Sequence, residues 1–79
     1  MATLLLFGPA RSAAGQHRVT IDAASLGELC LAASRQFGPE FEAVLRTSAV
    51  WMNGEPVAGD PPLGERDEVA VIPPVSGGA

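Results

Sequence analysis

The two ends of this chain limit what it can fold into. Thr3 to Gly8 reads TLLLFG and Glu68 to Ile72 reads EVAVI; the runs LLLF and VAVI within them have no polar alternation. Each is therefore expected to be a strand that is apolar on both faces, which requires cover on both. Only one long helical pattern lies between them, and one helix covers one face of a sheet. The opposite face is expected to hold an apolar patch, of the kind that marks a partner surface. Loops and the Trp51 ring are the alternative cover.

The segments between the two ends give the order of elements. Gln16 to Asp22, QHRVTID, alternates Val19 and Ile21 with polar neighbours, as a half-buried second strand does. A connector from Pro9 to Gly15 has room for a helical turn at ARSAA. Ser25 is placed to cap a helix, with Glu28 at capping-box spacing. Leu26, Leu29, Cys30, Ala33 and Phe37 fall on one helical stripe, which Gly38-Pro39 ends. Glu40 to Arg46 is expected to form a second, short helix with Phe41, Val44 and Leu45 inward.

Ala49 to Met52 reads as a third strand. Asn53-Gly54 is a strong turn signal, because both central positions of a type I′ turn need positive φ. Glu55 to Ala58 is then an edge piece containing Pro56, Gly59 to Pro62 a loop, and Glu68 to Ile72 the last strand. A hairpin, a long helix crossing the sheet, and further strands are the order of an α+β β-grasp. The expected fold is a mixed sheet of four to five strands with one main helix on one face. Residues 1–72 make that domain, and residues 73–79 an extended, flexible tail ending in Gly77-Gly78.

Composition removes several functions. The chain has 79 residues, one cysteine and one histidine. Cys30 alone excludes an intramolecular disulfide and a cysteine-built metal site, and fits a reducing compartment. Nine acidic residues face five basic ones, all arginine, for a net charge of -4 at pH 7. An acidic chain without basic clusters is a poor binder of phosphate backbones, so neither nucleic acid nor anionic membrane is an expected partner. The apolar run near Met1 is too short to span a bilayer and has no basic leader, so the expected location is the cytoplasm. The absence of lysine leaves no side-chain amine to attack an activated carboxyl group on the same chain.

Side-chain chemistry is sparse. His17 has no Cys or His at ligand spacing, and no serine lies in a GxSxG elbow. The carboxylate pairs Glu40/Glu42 and Asp67/Glu68 sit in polar stretches, and Cys30 lies on an apolar helical stripe, where packing is its expected role. No metal site and no bound cofactor are expected. The tail is what remains. Pro73 and Pro74 hold the chain extended and cannot continue a sheet. From Pro73 to Gly78 it reaches roughly 20 Å at about 3.3 Å per residue. Gly77 and Gly78 can enter a slot too narrow for any Cβ. Stiff and then slim, it is suited to delivering one terminal carboxyl group into another protein; a functionless tail of small residues is the plain alternative.

The residues Leu63-Gly64-Glu65-Arg66-Asp67-Glu68-Val69-Ala70, followed by Val71-Ile72-Pro73-Pro74-Val75-Ser76-Gly77-Gly78, closely resemble the ending of the small subunits of molybdopterin synthase, a ubiquitin-like sulfur-carrier family with a β-grasp fold. Leu4 to Arg11 (LLLFGPAR) resembles that family's first strand and the arginine after it, and Met52-Asn53-Gly54 its third-strand turn. The resemblance implies a non-catalytic sulfur-donor subunit of a transferase complex, working in molybdenum cofactor biosynthesis. An ATP-dependent adenylating enzyme related to ubiquitin activators would turn the Gly78 carboxylate into an acyl-adenylate, and sulfur would replace AMP to leave a thiocarboxylate. The large subunit would take in Pro73, Pro74, Val75, Ser76 and Gly77 and present the Gly78 sulfur to a pyranopterin precursor. Ile72, Leu5 and Phe7 are the expected docking surface.

Three positions depart from the family pattern. Ala79 follows the diglycine, where the family stops: either it is not native to the protein, or a protease has to remove it before Gly78 is activated. Arg66 stands where glycine is usual, and Ser12 replaces an acidic residue. Related carriers in cysteine, thiamine or siderophore pathways also carry clipped tails, which keeps a carrier of another pathway open. So does a ubiquitin-like modifier joined to lysines of target proteins, and a plain β-grasp interaction module with an inert tail.

Overall fold

In a computed structural model, which describes residues 1–73, the first and last strands lie side by side at the centre of one sheet. β1 (Ala2–Leu6) and β2 (Arg18–Ile21) form the antiparallel opening pair, joined through α1 (Pro9–Ala14). Then follow α2 (Leu26–Phe37), α3 (Pro39–Thr47), β3 (Ala49–Met52), β4 (Glu55–Pro56) and β5 (Glu68–Ile72). The strand order is β2-β1-β5-β3-β4; β1 and β5 run parallel and every other pair is antiparallel. The helices cover one face of these central strands, and LLLF and VAVI lack polar alternation because the opposite face is apolar too.

Register sorts the two faces. Leu4 lies opposite Val69 and Leu6 opposite Val71, while Val50 pairs with Val71 and Met52 with Val69 on the other side of β5. Leu4, Leu6, Val69 and Val71 are each 2% exposed or less, packed with Leu29, Ala33 and Phe41 from the helices. At about 1.5–3 kcal/mol per fully buried large apolar side chain, this face supplies most of the driving force for folding.

The helical layer is thicker than one main helix. α2 is the long crossing helix, but the ARSAA turn extends to the six-residue α1, and α3 runs one residue past the expected segment at each end. Ala10 of α1 and Phe41 of α3 enter the same core, which a single amphipathic helix could not have filled.

Ser25 caps α2 as expected: its Oγ accepts the Glu28 N–H at 3.3 Å. The returning Glu28 carboxylate accepts from Ala24 N–H, at 2.9 Å, one residue before the cap. The same helix end holds a second cap. Asp60 Oδ1 accepts the Gly27 N–H at 2.6 Å, and the loop around it is pinned by Leu26 N–H to the Pro61 carbonyl and Leu63 N–H to the Ala24 carbonyl, both 2.9 Å. A Cβ on Gly27 would lie 2.9 Å from that carboxylate oxygen, so glycine is what lets the loop approach. Replacing Asp60 with Ala orphans the Gly27 N–H and removes a negative charge from a helix N-terminus. We expect a loss of about 1 kcal/mol, read by calorimetry as a Tm lower by about 4–8 °C. An unchanged Tm would show that the loop is held without its carboxylate.

The turns follow the sequence signals. Asn53 and Gly54 have φ of 52° and 83°, as a type I′ turn requires. Gly38, at φ 96°, closes α2 through its N–H to Ser34 O and hands on to Pro39, the first residue of α3. Arg66 disturbs nothing in its turn. Asp67 N–H closes that turn onto Gly64 O at 3.2 Å, and Asn53 is the only non-glycine residue with positive φ among the described residues.

Candidate functional site

One row of side chains crosses the sheet on the face away from the helices. Arg18 of β2 lies opposite Leu5 of β1, Leu5 opposite Ala70 of β5, Ala70 opposite Trp51 of β3, and Trp51 opposite Pro56 of β4. The middle three, Leu5, Ala70 and Trp51, are half-buried, whereas Arg18 and Pro56 at the two ends are exposed. The face opposite the main helix therefore carries the expected apolar row, and Trp51 is one of its members.

The patch continues toward the end of β5. Ile72 lies opposite Ala49, and the Phe7 N–H donates to Val71 O at 3.2 Å, carrying the β1–β5 ladder one step beyond β1. Phe7 is 47% exposed. Leu5, Phe7 and Ile72 thus share one end of the open face, and the chain leaves the sheet there at Pro73. Pro74, Val75, Ser76, Gly77, Gly78 and Ala79 lie outside the described residues.

Side chains at the far end of the sheet fix where β5 starts. Asn53 Oδ1 accepts the Glu68 N–H at 2.9 Å, its Nδ2 donates to Asp67 Oδ1 at 2.9 Å, and its own N–H reaches Glu68 O at 2.8 Å. Asp67 Oδ2 accepts the Gly64 N–H at 2.7 Å. These donors, first Gly64 N–H and then the Asn53 amide, hold the Asp67 carboxyl below its ordinary value. A lowered folded pKa gives stability that is fully present above the unfolded value, about 3.9 for Asp. It is lost as pH falls through the lowered folded value. Acid titration of unfolding is expected to show a shallower fall below about pH 4 in Asp67→Asn than in the wild type. Superimposable profiles would remove Asp67 from the account.

Other reactive groups are quiet. Cys30 is half-buried, and burial, followed by the nearby Asp60 charge, pushes its thiol above the ordinary range; it stays protonated and packs. Among the described residues, no three His, Cys, Asp or Glu side chains converge on a metal-sized space, and no helix is long and apolar enough to cross a membrane. An open groove of about 600 Å³ between α1 and α3, lined by Pro9, Ser12, Ala13, Glu40, Ala43 and Val44, offers one hydroxyl and one carboxylate and no nucleophile–base pair.

Leu5, Phe7 and Ile72, the docking surface expected from the sequence, lie on this open face. Trp51, Ala70 and Arg18 join them there, and their place in the row depends on pairing register, which no local pattern reveals. AVWM could have yielded Trp51 once Val50 and Met52 were assigned inward.

The β-grasp carries a chemistry-poor body and one apolar face ending at the root of the tail, and known proteins share the fold. The ThiS family model matches residues 4–78. The crystal structure of SAMP1 from Haloferax volcanii is 30% identical over 98% of both chains, with a TM-score of 0.78. Subunits 1 and 2 of the molybdopterin-converting factor from Helicobacter pylori have been solved as a complex, whose matching chain is 27% identical, with 98% of this chain and 97% of that one covered and a TM-score of 0.71. The solution structure of small archaeal modifier protein 1 from Methanosarcina acetivorans, 21% identical with 98% and 95% covered, shares the fold at a TM-score of 0.86. On the family match and this shared architecture, the chain belongs to the ThiS family of ubiquitin-like sulfur carriers.

Proposed function

We propose that the chain is the sulfur-donor small subunit of a molybdopterin synthase, with Gly78 as the group that carries sulfur. The observation that carries this reading is the coincidence of two features. The sequence ends in PPVSGG before Ala79, and the apolar row of the open face runs to the point where that segment leaves the sheet. A partner that covers Leu5, Phe7, Trp51 and Ile72 has the tail root at the edge of its footprint. The likeness to a molybdopterin-converting factor subunit solved with its partner subunit supports a large-subunit partner of the same kind.

The chemistry follows from what a terminal carboxylate lacks. At neutral pH it is a poor electrophile, so an adenylating enzyme spends ATP: a Gly78 oxygen attacks the α-phosphorus and pyrophosphate leaves. The acyl-adenylate now has a good leaving group: the outer sulfur of a persulfide displaces AMP, a C–S bond forming as a C–O bond breaks. A second thiol then cleaves the S–S bond of the resulting acyl disulfide, which releases the thiocarboxylate and leaves a disulfide on the donor. The thiocarboxylate is a soft nucleophile, and in the large subunit it attacks the pyranopterin precursor. The body contributes docking and the partner contributes acid–base groups. A protease exposes Gly78 by removing Ala79. The free Cys30 thiol fits work in the cytoplasm.

A second reading, a protein modifier, is favoured by the 30% identity to SAMP1. One experiment separates the two. A chain ending at Gly78 is incubated with ATP, a sulfur source and the adenylating enzyme, and its intact mass is measured. Large subunit and pterin precursor are then added. Sulfur replacing one oxygen, followed by its loss with formation of a dithiolene product, is the expected result. A stable amide to lysines of other proteins, with no transfer to the pterin, would favour the modifier.

A further inference from the structure

Gly8 joins three structural demands at one Cα. Its backbone, at φ 57° and ψ -131°, occupies a region that side-chain-bearing residues rarely enter. Its carbonyl accepts the Ser12 N–H at 3.2 Å and so opens α1. Across the sheet it faces Pro73: a Cβ built on Gly8 would lie 3.1 Å from Pro73 Cγ and 3.5 and 3.6 Å from Cδ and Cβ. The neighbouring Phe7 N–H grips Val71 O at 3.2 Å, two residues before that ring. Proline has a fixed φ and no N–H, so the sheet cannot hold it by a hydrogen bond. The bare face of Gly8 holds its ring in contact instead.

We infer that Gly8 and Pro73 form a seat that sets the direction in which the C-terminal segment leaves the sheet, which makes Gly8 a positioning residue for the terminal carboxyl group. This rests on the carrier reading above. The physical reason is leverage. An error in direction at Pro73 grows along a segment that can reach roughly 20 Å when a partner holds it stretched, while a reacting carboxylate tolerates a misplacement of only about 1 Å before rate is lost. The body can dock correctly and still present the terminus wrongly.

The bland role for Gly8 is backbone conformation alone, and a double-variant cycle distinguishes the two. Gly8→Ala, Pro73→Ala and the double variant are made in the chain ending at Gly78. Each is tested for thermal unfolding and, well below its Tm, for ATP–pyrophosphate exchange with the adenylating enzyme. Pro73→Ala introduces no strain at Gly8, so it stays informative if Gly8→Ala folds poorly. The seat predicts that Gly8→Ala lowers kcat about tenfold and leaves the KM for the carrier within about twofold, because the docking face is intact. Pro73→Ala lowers kcat less. In kcat the double variant matches Pro73→Ala alone, since the crowded ring is gone, while its Tm still carries the backbone strain of Gly8→Ala.

If Gly8→Ala lowers Tm while kcat stays at the wild-type value, or if the two effects on kcat simply multiply, the seat is overturned and the carrier reading stands. No exchange by the wild-type chain overturns the carrier reading, and the seat with it.

Discussion

Removing Gly78 together with Ala79 is expected to abolish sulfur acceptance while leaving thermal unfolding unchanged. On the function proposed above, adenylation, sulfur exchange and attack on the precursor all use the one terminal carboxyl group of Gly78, and no side chain of the body substitutes for it. Among the described residues, the core is built from segments ending at Val71, so stability has no reason to follow the terminus. A chain ending at Gly77 still finishes in a glycine carboxylate, but it is one residue shorter. That shortfall of about 3.3 Å is several times the misplacement of about 1 Å that costs a reaction two orders of magnitude. The readouts are intact mass after activation and calorimetry on the same preparation. A marked loss of Tm on deletion would mean that the terminus packs against the body, and the delivery model would then be wrong.

The opposite dissociation is expected from the core. Phe41 is fully buried, its ring centroid 5.1 Å from that of Phe37 at an interplanar angle of 57°. It abuts the same interior space as Leu4, Leu29, Ala33, Leu45, Val69 and Val71. Phe41→Ala removes a large apolar surface and leaves a void that three separate elements would have to collapse to fill, at a cost of about 3–5 kcal/mol. A domain of this size has only about 4–12 kcal/mol in total, taking roughly 0.05–0.15 kcal/mol per residue. The variant is therefore expected to lose much of its stability, with Tm lower by at least about 12 °C. The molecules that remain folded should still accept sulfur on Gly78, because nothing at the open face or tail root has changed. A loss below about 1 kcal/mol would show that the site is not packed to native density.

These two variants also mark which parts of the molecule its sequence reveals. LLLF and VAVI declare themselves because they are apolar on the open face as well as on the face the helices cover, and Asn53-Gly54 declares itself because few residues accept positive φ. The α2 stripe and its Ser25 cap are local patterns, and local patterns are legible. The Asp60 cap is not: it comes from a loop 33 residues away from Gly27, and only tertiary structure brings the two together. α1 was visible as no more than a turn because six residues hold too little periodicity to specify a helix.

The candidate site divides in the same way. Given the two-residue period of a strand, Leu5 and Phe7 share one face of β1 and its extension and Ile72 lies on one face of β5, but the row Arg18–Leu5–Ala70–Trp51–Pro56 exists only through four registers. Gly8 before Pro9 reads as a strand stop. Its contact with Pro73 joins residues near the two ends of the chain, and no short-range signal reports it. The Gly77-Gly78 ending is legible for a different reason: the role proposed for it depends on what the residues lack, and the absence of a side chain is visible in any sequence.

The most direct measurement is the intact mass of this chain recovered from its own cells while the cofactor is being made. Trimming to Gly78, with a fraction of molecules bearing sulfur in place of one terminal oxygen, is the expected outcome. A population that retains Ala79 throughout, in cells whose molybdenum enzymes are fully active, would contradict it.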